Sequence, residues 1–363
     1  MLVEAYGVSR TTGCVARVGD AVVDLRRALG DPVFDEPALN GFMAQGPEAW
    51  RQAYQRLHDM EPGDALLTPV DEVELLLPWR PADYVDFYAS EAHATNLGRM
   101  FRPDSEPLLP NWRHLPVGYH GRAATLIVSG EPVYRPHGLT LRAGEDRPAL
   151  RPSAMLDVEV ELGVIVGVGS ERGRPVSTAR AWDHLFGFVL VNDWSARDIQ
   201  SFEYQPLGPH LGKSFATSVS AWITPALAVP LVDGPPQDVD PYLRVDGPRV
   251  PDVDLTLELN GTVVSRTNSR ELTWGPAQLL AHATVNGAAT RTGDLYASGT
   301  ISGWDPGTYG SLIELTRRGE EPLTLDDGSQ RTFLEDGDTA TIRGMAGPIA
   351  LGDVTGRVAP PPE

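Results

Sequence analysis

From Leu156 the chain reads LDVEVELGVIV, with Leu156, Val158, Val160, Leu162 and Val164 apolar and Asp157, Glu159 and Glu161 on the alternate positions. A period of two is the pattern of a β-strand, whose successive side chains point to opposite faces. Apolar runs predict another strand over residues 187–194, and a hairpin of LTLEL and TVVSR around Asn260-Gly261, a dipeptide suited to the positive φ angles of a two-residue turn. Short runs such as CVARVGDAVVDL, divided at Gly19-Asp20, predict a small β-rich unit at the amino terminus.

Helical spacing is rarer. Trp50, Ala53, Tyr54 and Leu57 recur at three- and four-residue intervals and predict a helix over residues 47–58 with a core-facing stripe. Ser177 predicts the cap of a helix running through Trp182 and Leu185, and residues 275–285 predict another, containing Leu279, Leu280 and Ala283. Two prolines in LLPWRPADYVDFY mark a boundary. The expected architecture is mainly β with short helices (α+β), in two unequal parts, residues 1–75 and 76–363.

Composition narrows the function. With 30 basic and 49 acidic side chains the formal charge is −19, which opposes binding to a nucleic-acid backbone and excludes nucleic acid as a partner. An anionic substrate stays compatible, because a few Arg or Lys residues make a locally positive pocket. Cys14 is the only cysteine, so neither an internal disulfide nor a thiolate cluster can form in one chain. The start MLVEAYGVSR lacks a signal-peptide pattern and no apolar run is long enough to span a bilayer, so no membrane partner and a cytoplasmic location are expected.

On a strand, Glu159 and Glu161 project side by side roughly 7 Å apart, near enough for both to turn onto one divalent cation. Alone, such a pair also describes a half-solvated strand with an acidic outer face. Asp193 follows the apolar run GFVLV at a strand end, and DFYASEAHATNLGRMFRP places Asp86, Tyr88, His93, Asn96 and Arg102 in one turn-rich or weakly helical segment. There a lone histidine is more often structural than catalytic, and Asp86 could cap the next turn. Together, Asp86, Glu159, Glu161 and Asp193 form an oxygen-only set that suits calcium, magnesium or manganese better than zinc. A dication helped by Lys213 and Arg197 would offset their repulsion, and without it at least one would stay protonated.

These stretches, with LNGFMAQGPEAW near residue 39, LPNWRHLPVGYHGR from Leu109, FGFVLVNDWSARDIQSFEYQPLGPHLGKSFATS from Phe186 and ASGTISGWDPGTYGSLIEL from Ala297, resemble the fumarylacetoacetate hydrolase family over nearly the whole length. The Glu-x-Glu pair and following Asp are shared by a wide superfamily. Tyr88 with His93, the PNWRHLPVGYHGR stretch and the small amino-terminal unit are similar to its fumarylacetoacetate-cleaving branch.

The resemblance implies a small SH3-like β-barrel, a larger β-rich catalytic domain, and a homodimer. It implies Ca2+ and/or Mg2+ on Asp86, Glu159, Glu161 and Asp193, with a further magnesium position near Lys213 and Thr217. His93 would be the general base, oriented by Glu314. Arg197, Gln200 and Lys213 would donate to the developing oxyanion, while Tyr88, Arg102, Tyr119, Gln200, Tyr204 and Thr300 would position a small anionic diketo acid. The expected reaction is hydrolysis of 4-fumarylacetoacetate to fumarate and acetoacetate, the last step of tyrosine and phenylalanine catabolism. The alternatives are an acylpyruvate-type hydrolase or decarboxylase of the same superfamily, or a non-catalytic calcium-binding β-protein. Residues 141–153 and 231–254 depart from the family and carry no assigned role; Cys14 is expected to be structural.

Overall fold

The computed structural model describes residues 2–61 and 67–362; the part of the expected amino-terminal unit over residues 62–66 lies outside the described residues. Its spine is a sheet of thirteen strands. The path runs from Leu67–Pro69 through Ala21–Asp24, Gly13–Val18 and Ala5–Ser9 to Trp222–Pro225. It continues through Leu185–Asn192, Val160–Val166, Leu295–Ala297 and Tyr84–Phe87 to Gly118–His120. A second sheet of five strands contains the Asn260-Gly261 hairpin, formed by Asp254–Leu259 and Thr262–Asn268. Both turn residues have positive φ, 51° and 85°, the geometry that Asn and Gly tolerate best.

Every residue of Val160–Val166 and Leu185–Asn192 is buried, so the acidic alternation does not mark a solvated face. The two strands are antiparallel, with Val160 opposite Asn192 and Glu161 opposite Val191. One step further, Glu159 and Asp193 leave the ladder together. Gly163 allows this close packing: a Cβ there would lie 2.7 Å from Leu295 and 2.9 Å from Val191. Leu162, Val164, Phe188 and Leu190 belong to one apolar core, whereas Ile165, Phe186, Val189 and Val191 join Tyr6, Phe42 and Trp50 in another. A register shift between Ile165 and Val166 gives Leu185–Asn192 an extra residue, which turns Phe186 toward that second core.

The helix expected over residues 47–58 spans Pro47–Asp59 and buries Trp50, Ala53 and Leu57. The expected third helix is Pro276–Thr284, where the Gln278 side chain accepts from the Gly275 N–H at 2.9 Å. Ser177 precedes only a 3-10 turn, Thr178–Asp183; its side chain makes no cap, and Leu185 instead starts a strand. Glu91–Phe101 is a regular helix capped by the Ser90 hydroxyl, and Asp86 sits on strand Tyr84–Phe87 rather than capping a turn. Cys14 is buried, donates to the Glu36 carbonyl at 3.3 Å, and has its thiol pushed up to about 11, mainly by burial, which leaves it an inert packing residue. No helix among the described residues is long and apolar enough to cross a membrane.

Trp50 holds the helix Pro47–Asp59 against the central sheet. Its ring meets Phe186 edge-on at 5.2 Å and its indole N–H donates to the Met43 carbonyl at 3.0 Å. Trp50→Ala is expected to destabilise the fold by about 3–5 kcal/mol, read by denaturant unfolding; a loss below about 1 kcal/mol would show that this contact does not anchor the helix.

Candidate active site and metal centre

Strand register brings four carboxylates from distant sequence positions to one point. Asp86 lies on the parallel partner of Leu295–Ala297, opposite Ala297, and Ala297 faces Gly163 on the strand that begins beside Glu161. Oxygens of Asp86, Glu159, Glu161 and Asp193, all buried, lie within 4.8 Å of one another, a group that could hold a metal ion. Their partners are few. Lys213 Nζ donates to Glu159 and, at 2.8 Å, to Asp193, which also accepts from Tyr119 OH at 3.0 Å and Thr217 Oγ1 at 2.7 Å. An Arg197 Nη lies 2.8 Å from Glu159.

This distribution divides the cluster electrically. Burial works against the charge on Glu159, but Lys213, Arg197 and His93 outweigh it and hold its carboxyl below the usual range. For Asp86 and Glu161 burial comes first, the neighbouring carboxylates add to it, and both are pushed well above that range. Burial also opposes the Lys213 charge, yet Asp193 and Glu159 keep the ammonium protonated. One Asp86 oxygen and both Glu161 oxygens have no hydrogen-bond partner among the described residues. Buried acceptors without donors need either protons or a cation. An oxygen-only set with vacant lone pairs fits a hard divalent ion.

Beside the cluster, His93 Nδ1 and Glu314 Oε2 are 2.7 Å apart, and His93 Nε2 is 4.0 Å from Glu159. Glu314 also accepts from Asn96 at 2.9 Å, Ser302 at 2.9 Å and Ser311 at 2.7 Å. Against its burial, these donors and His93 hold Glu314 below the usual carboxylate range. An ionised Glu314 only accepts, so Nδ1 donates to it, and whenever the imidazole is neutral Nε2 is the atom left with a lone pair. The sequence singled out His93 and Glu314. Ser302 and Ser311 were missed because isolated serines on a long loop carry no periodic signal, and Asn96 was noted without a role.

A cavity of about 510 Å3 opens onto this centre. Asp86, Glu159, His93 and Lys213 reach it from the polar end. Tyr88, Arg102, Tyr119 and Thr300 also line it, as do Arg197, Gln200 and Tyr204 from helix Arg197–Glu203 and its cap. Tyr88 meets the His93 ring edge-on at 5.4 Å, and Gln200 accepts from Arg197 at 3.2 Å. Arg102 donates to the Pro107 carbonyl at 3.0 Å and makes no ion pair among the described residues, so it is no surface salt bridge. The buried Thr300 hydroxyl has no hydrogen-bond partner among the described residues. Tyr204 OH accepts from Gln205 at 3.0 Å. Glu161, Asp193, Thr217 and Glu314 lie behind this lining.

Asp157 is a third residue that the sequence did not single out. Alternation placed it with Glu159 and Glu161, yet it is absent from the four-carboxylate group and binds Arg197 Nε at 2.8 Å instead.

The family pattern described as Fumarylacetoacetate (FAA) hydrolase C-terminal matches residues 83–359. Mouse fumarylacetoacetase is 41% identical, over 94% of this chain and 90% of its own, and the Arabidopsis thaliana protein of that name is 40% identical, over 95% and 90%. Among solved structures, maleylpyruvate hydrolase from Sphingobium sp. SYK-6 in complex with manganese (II) ion and pyruvate shares the fold with a TM-score of 0.59 and 17% identity, covering 99% of this chain and all of that one. On the match to residues 83–359 and the identity along nearly the full length, the chain belongs to the fumarylacetoacetate hydrolase family.

Proposed function

We propose that this chain hydrolyses 4-fumarylacetoacetate to fumarate and acetoacetate. The carrying observation is the juxtaposition, in one cavity, of a His93 held by Glu314 and the cations Arg197 and Lys213 beside four buried carboxylates. Full-length relatives named fumarylacetoacetase in animals, plants and fungi support the substrate and do not favour an acylpyruvate-type hydrolase, a decarboxylase or a non-catalytic calcium-binding protein.

Asp86, Glu159, Glu161 and Asp193 would hold a divalent cation, which when bound supplies Lewis-acid polarisation of the diketo oxygens. Calcium or magnesium is the proposed occupant; the manganese of the Sphingobium enzyme is a third hard ion of the same preference. Lys213 and Thr217 fix Asp193 for that site, and a further magnesium near them is part of the proposal. His93 Nε2 takes a proton from water, whose oxygen bonds to the carbonyl carbon of the fumaryl group. Glu314 stabilises the imidazolium that forms. Arg197, Gln200 and Lys213 donate to the oxygen that becomes negative. Collapse then breaks the bond to the adjacent methylene, whose electron pair leaves as the acetoacetate enolate and is protonated by His93. Tyr88, Arg102, Tyr119, Tyr204 and Thr300 position the substrate. Residues 1–75 act as a supporting unit, and a cytoplasmic homodimer is the proposed working form.

Incubated with fumarylacetoacetate, the purified chain is expected to release fumarate and acetoacetate in equal amounts, and His93→Ala to lower kcat by about 10²–10⁴-fold. Substrate loss without fumarate would overturn the reaction, and full activity in His93→Ala would remove the base.

Asp86 and Glu161 carry raised pKa values, so the folded chain holds more protons than the unfolded one from the ordinary carboxylate range upward, and stability falls as pH rises through that window. The lowered Glu159 acts in the opposite sense at the acid end, losing its stabilisation as pH falls below that range. Chelator-treated protein is therefore expected to lose Tm between about pH 5 and 8, and added divalent cation to raise Tm most at the upper end. Thermal unfolding checks this; a flat profile unaffected by cation would contradict it.

A further inference from the structure

Asp157 is fully buried and its oxygens take four donors. The first accepts from the backbone N–H groups of Val158 at 2.8 Å and Leu312 at 2.7 Å; the second accepts from Arg197 Nε at 2.8 Å and from the Ile313 N–H at 3.1 Å. Val158 aside, these donors belong to two elements that carry residues of the site. Arg197 starts helix Arg197–Glu203 and directs its remaining nitrogens at Glu159, 2.8 Å away, and Gln200, 3.2 Å away. Leu312 and Ile313 open the short helix Leu312–Leu315, which carries Glu314 against His93. The pairing of Asp157 with Ser195 anchors the carboxylate beside the start of the Arg197 helix.

We propose that Asp157 is a positioning residue that fixes the anion-stabilising wall at Arg197 and the base wall at Glu314–His93 in a single mutual geometry. The inference rests on the catalytic roles proposed for Arg197, Glu314 and His93. A carboxylate is required because only an acceptor-only group satisfies four donors at once. Asparagine has the same shape, but its amide would turn N–H groups toward either Arg197 Nε and Ile313 or Val158 and Leu312. The mismatch moves one wall relative to the other, and a displacement near 1 Å is enough to cost about 10²-fold in rate. Arg197 and His93 act on the growing oxyanion and on the attacking water rather than on the substrate chain, so the effect falls on turnover more than on substrate affinity.

The test compares the parent chain with Asp157→Asn, Glu314→Gln and the double variant, holding metal, pH and temperature constant. Asp157→Asn is expected to lower kcat about 10²-fold with KM within about threefold, and to cost less in the Glu314→Gln background than in the parent. The low-field proton resonance of His93 Nδ1 provides a reading without turnover: it is expected to shift in Asp157→Asn. It is also expected to shift in Arg197→Gln, although Arg197 makes no hydrogen bond to His93 or Glu314, so the coupling can be read even if Asp157→Asn does not accumulate as folded protein. An unmoved resonance in Arg197→Gln, a kcat within about twofold of the parent in Asp157→Asn, or a loss confined to KM would overturn the proposal. A parent chain that releases no fumarate would sink the reading of function, while the resonance would still decide the positioning claim.

Discussion

Four carboxylates closed off from water within 4.8 Å of one another repel, and the surrounding fold answers that repulsion only in part. At an effective dielectric of about 20, each like-charged pair 4 Å apart contributes roughly 4 kcal/mol against folding. Lys213 spans Glu159 and Asp193, and Arg197 is shared between Glu159 and Asp157. Asp86 and Glu161, which pair with neither cation, are left with oxygens that have no partner among the described residues. That imbalance gives the centre its demand for a hard cation, and the demand explains why the chain brings strand ends together here.

The same division of charge separates the chemistry. On one side Glu314, saturated by Asn96, Ser302 and Ser311, fixes the imidazole tautomer; on the other, Arg197 and Lys213 provide positive charge where an oxyanion grows. Between them, Glu159 faces both, 4.0 Å from His93 and in contact with Lys213. A histidine that must act as a base benefits from a neighbouring carboxylate, because the imidazolium is stabilised as it forms. Placing the acid groups, the base and the cations on separate elements joined by one sheet allows each to be oriented by its own hydrogen bonds.

Local chemistry made much of this visible in the sequence. Asn260-Gly261 fixed its own hairpin, the Trp50 stripe its own helix, and the apolar run ending in Asp193 its own strand terminus. The helix Glu91–Phe101 was harder to see because Ala92 through Gly98 are all buried, so no polar face alternates with an apolar one. Long-range order was invisible to pattern. Nothing in the spacing of LDVEVEL distinguishes Glu159 and Glu161, turned into the cluster, from Asp157, turned toward Leu312 and Ile313, since the strand breaks between Asp157 and Val160. Ser302 and Ser311 become partners of Glu314 only through tertiary folding. The acidic alternation would also suit a wet strand face, and only burial decides against that.

The central claim is that Asp86, Glu159, Glu161 and Asp193 act together as a site for one hard ion. The most direct measurement is an electron paramagnetic resonance titration of the chelator-treated chain with Mn2+, following the free-ion signal, alongside Glu161→Gln, which removes a ligand charge while retaining volume. The account predicts uptake of one Mn2+ per chain by the parent and at least about a tenfold weaker uptake by Glu161→Gln. Equal uptake by both, or none by the parent, would contradict it.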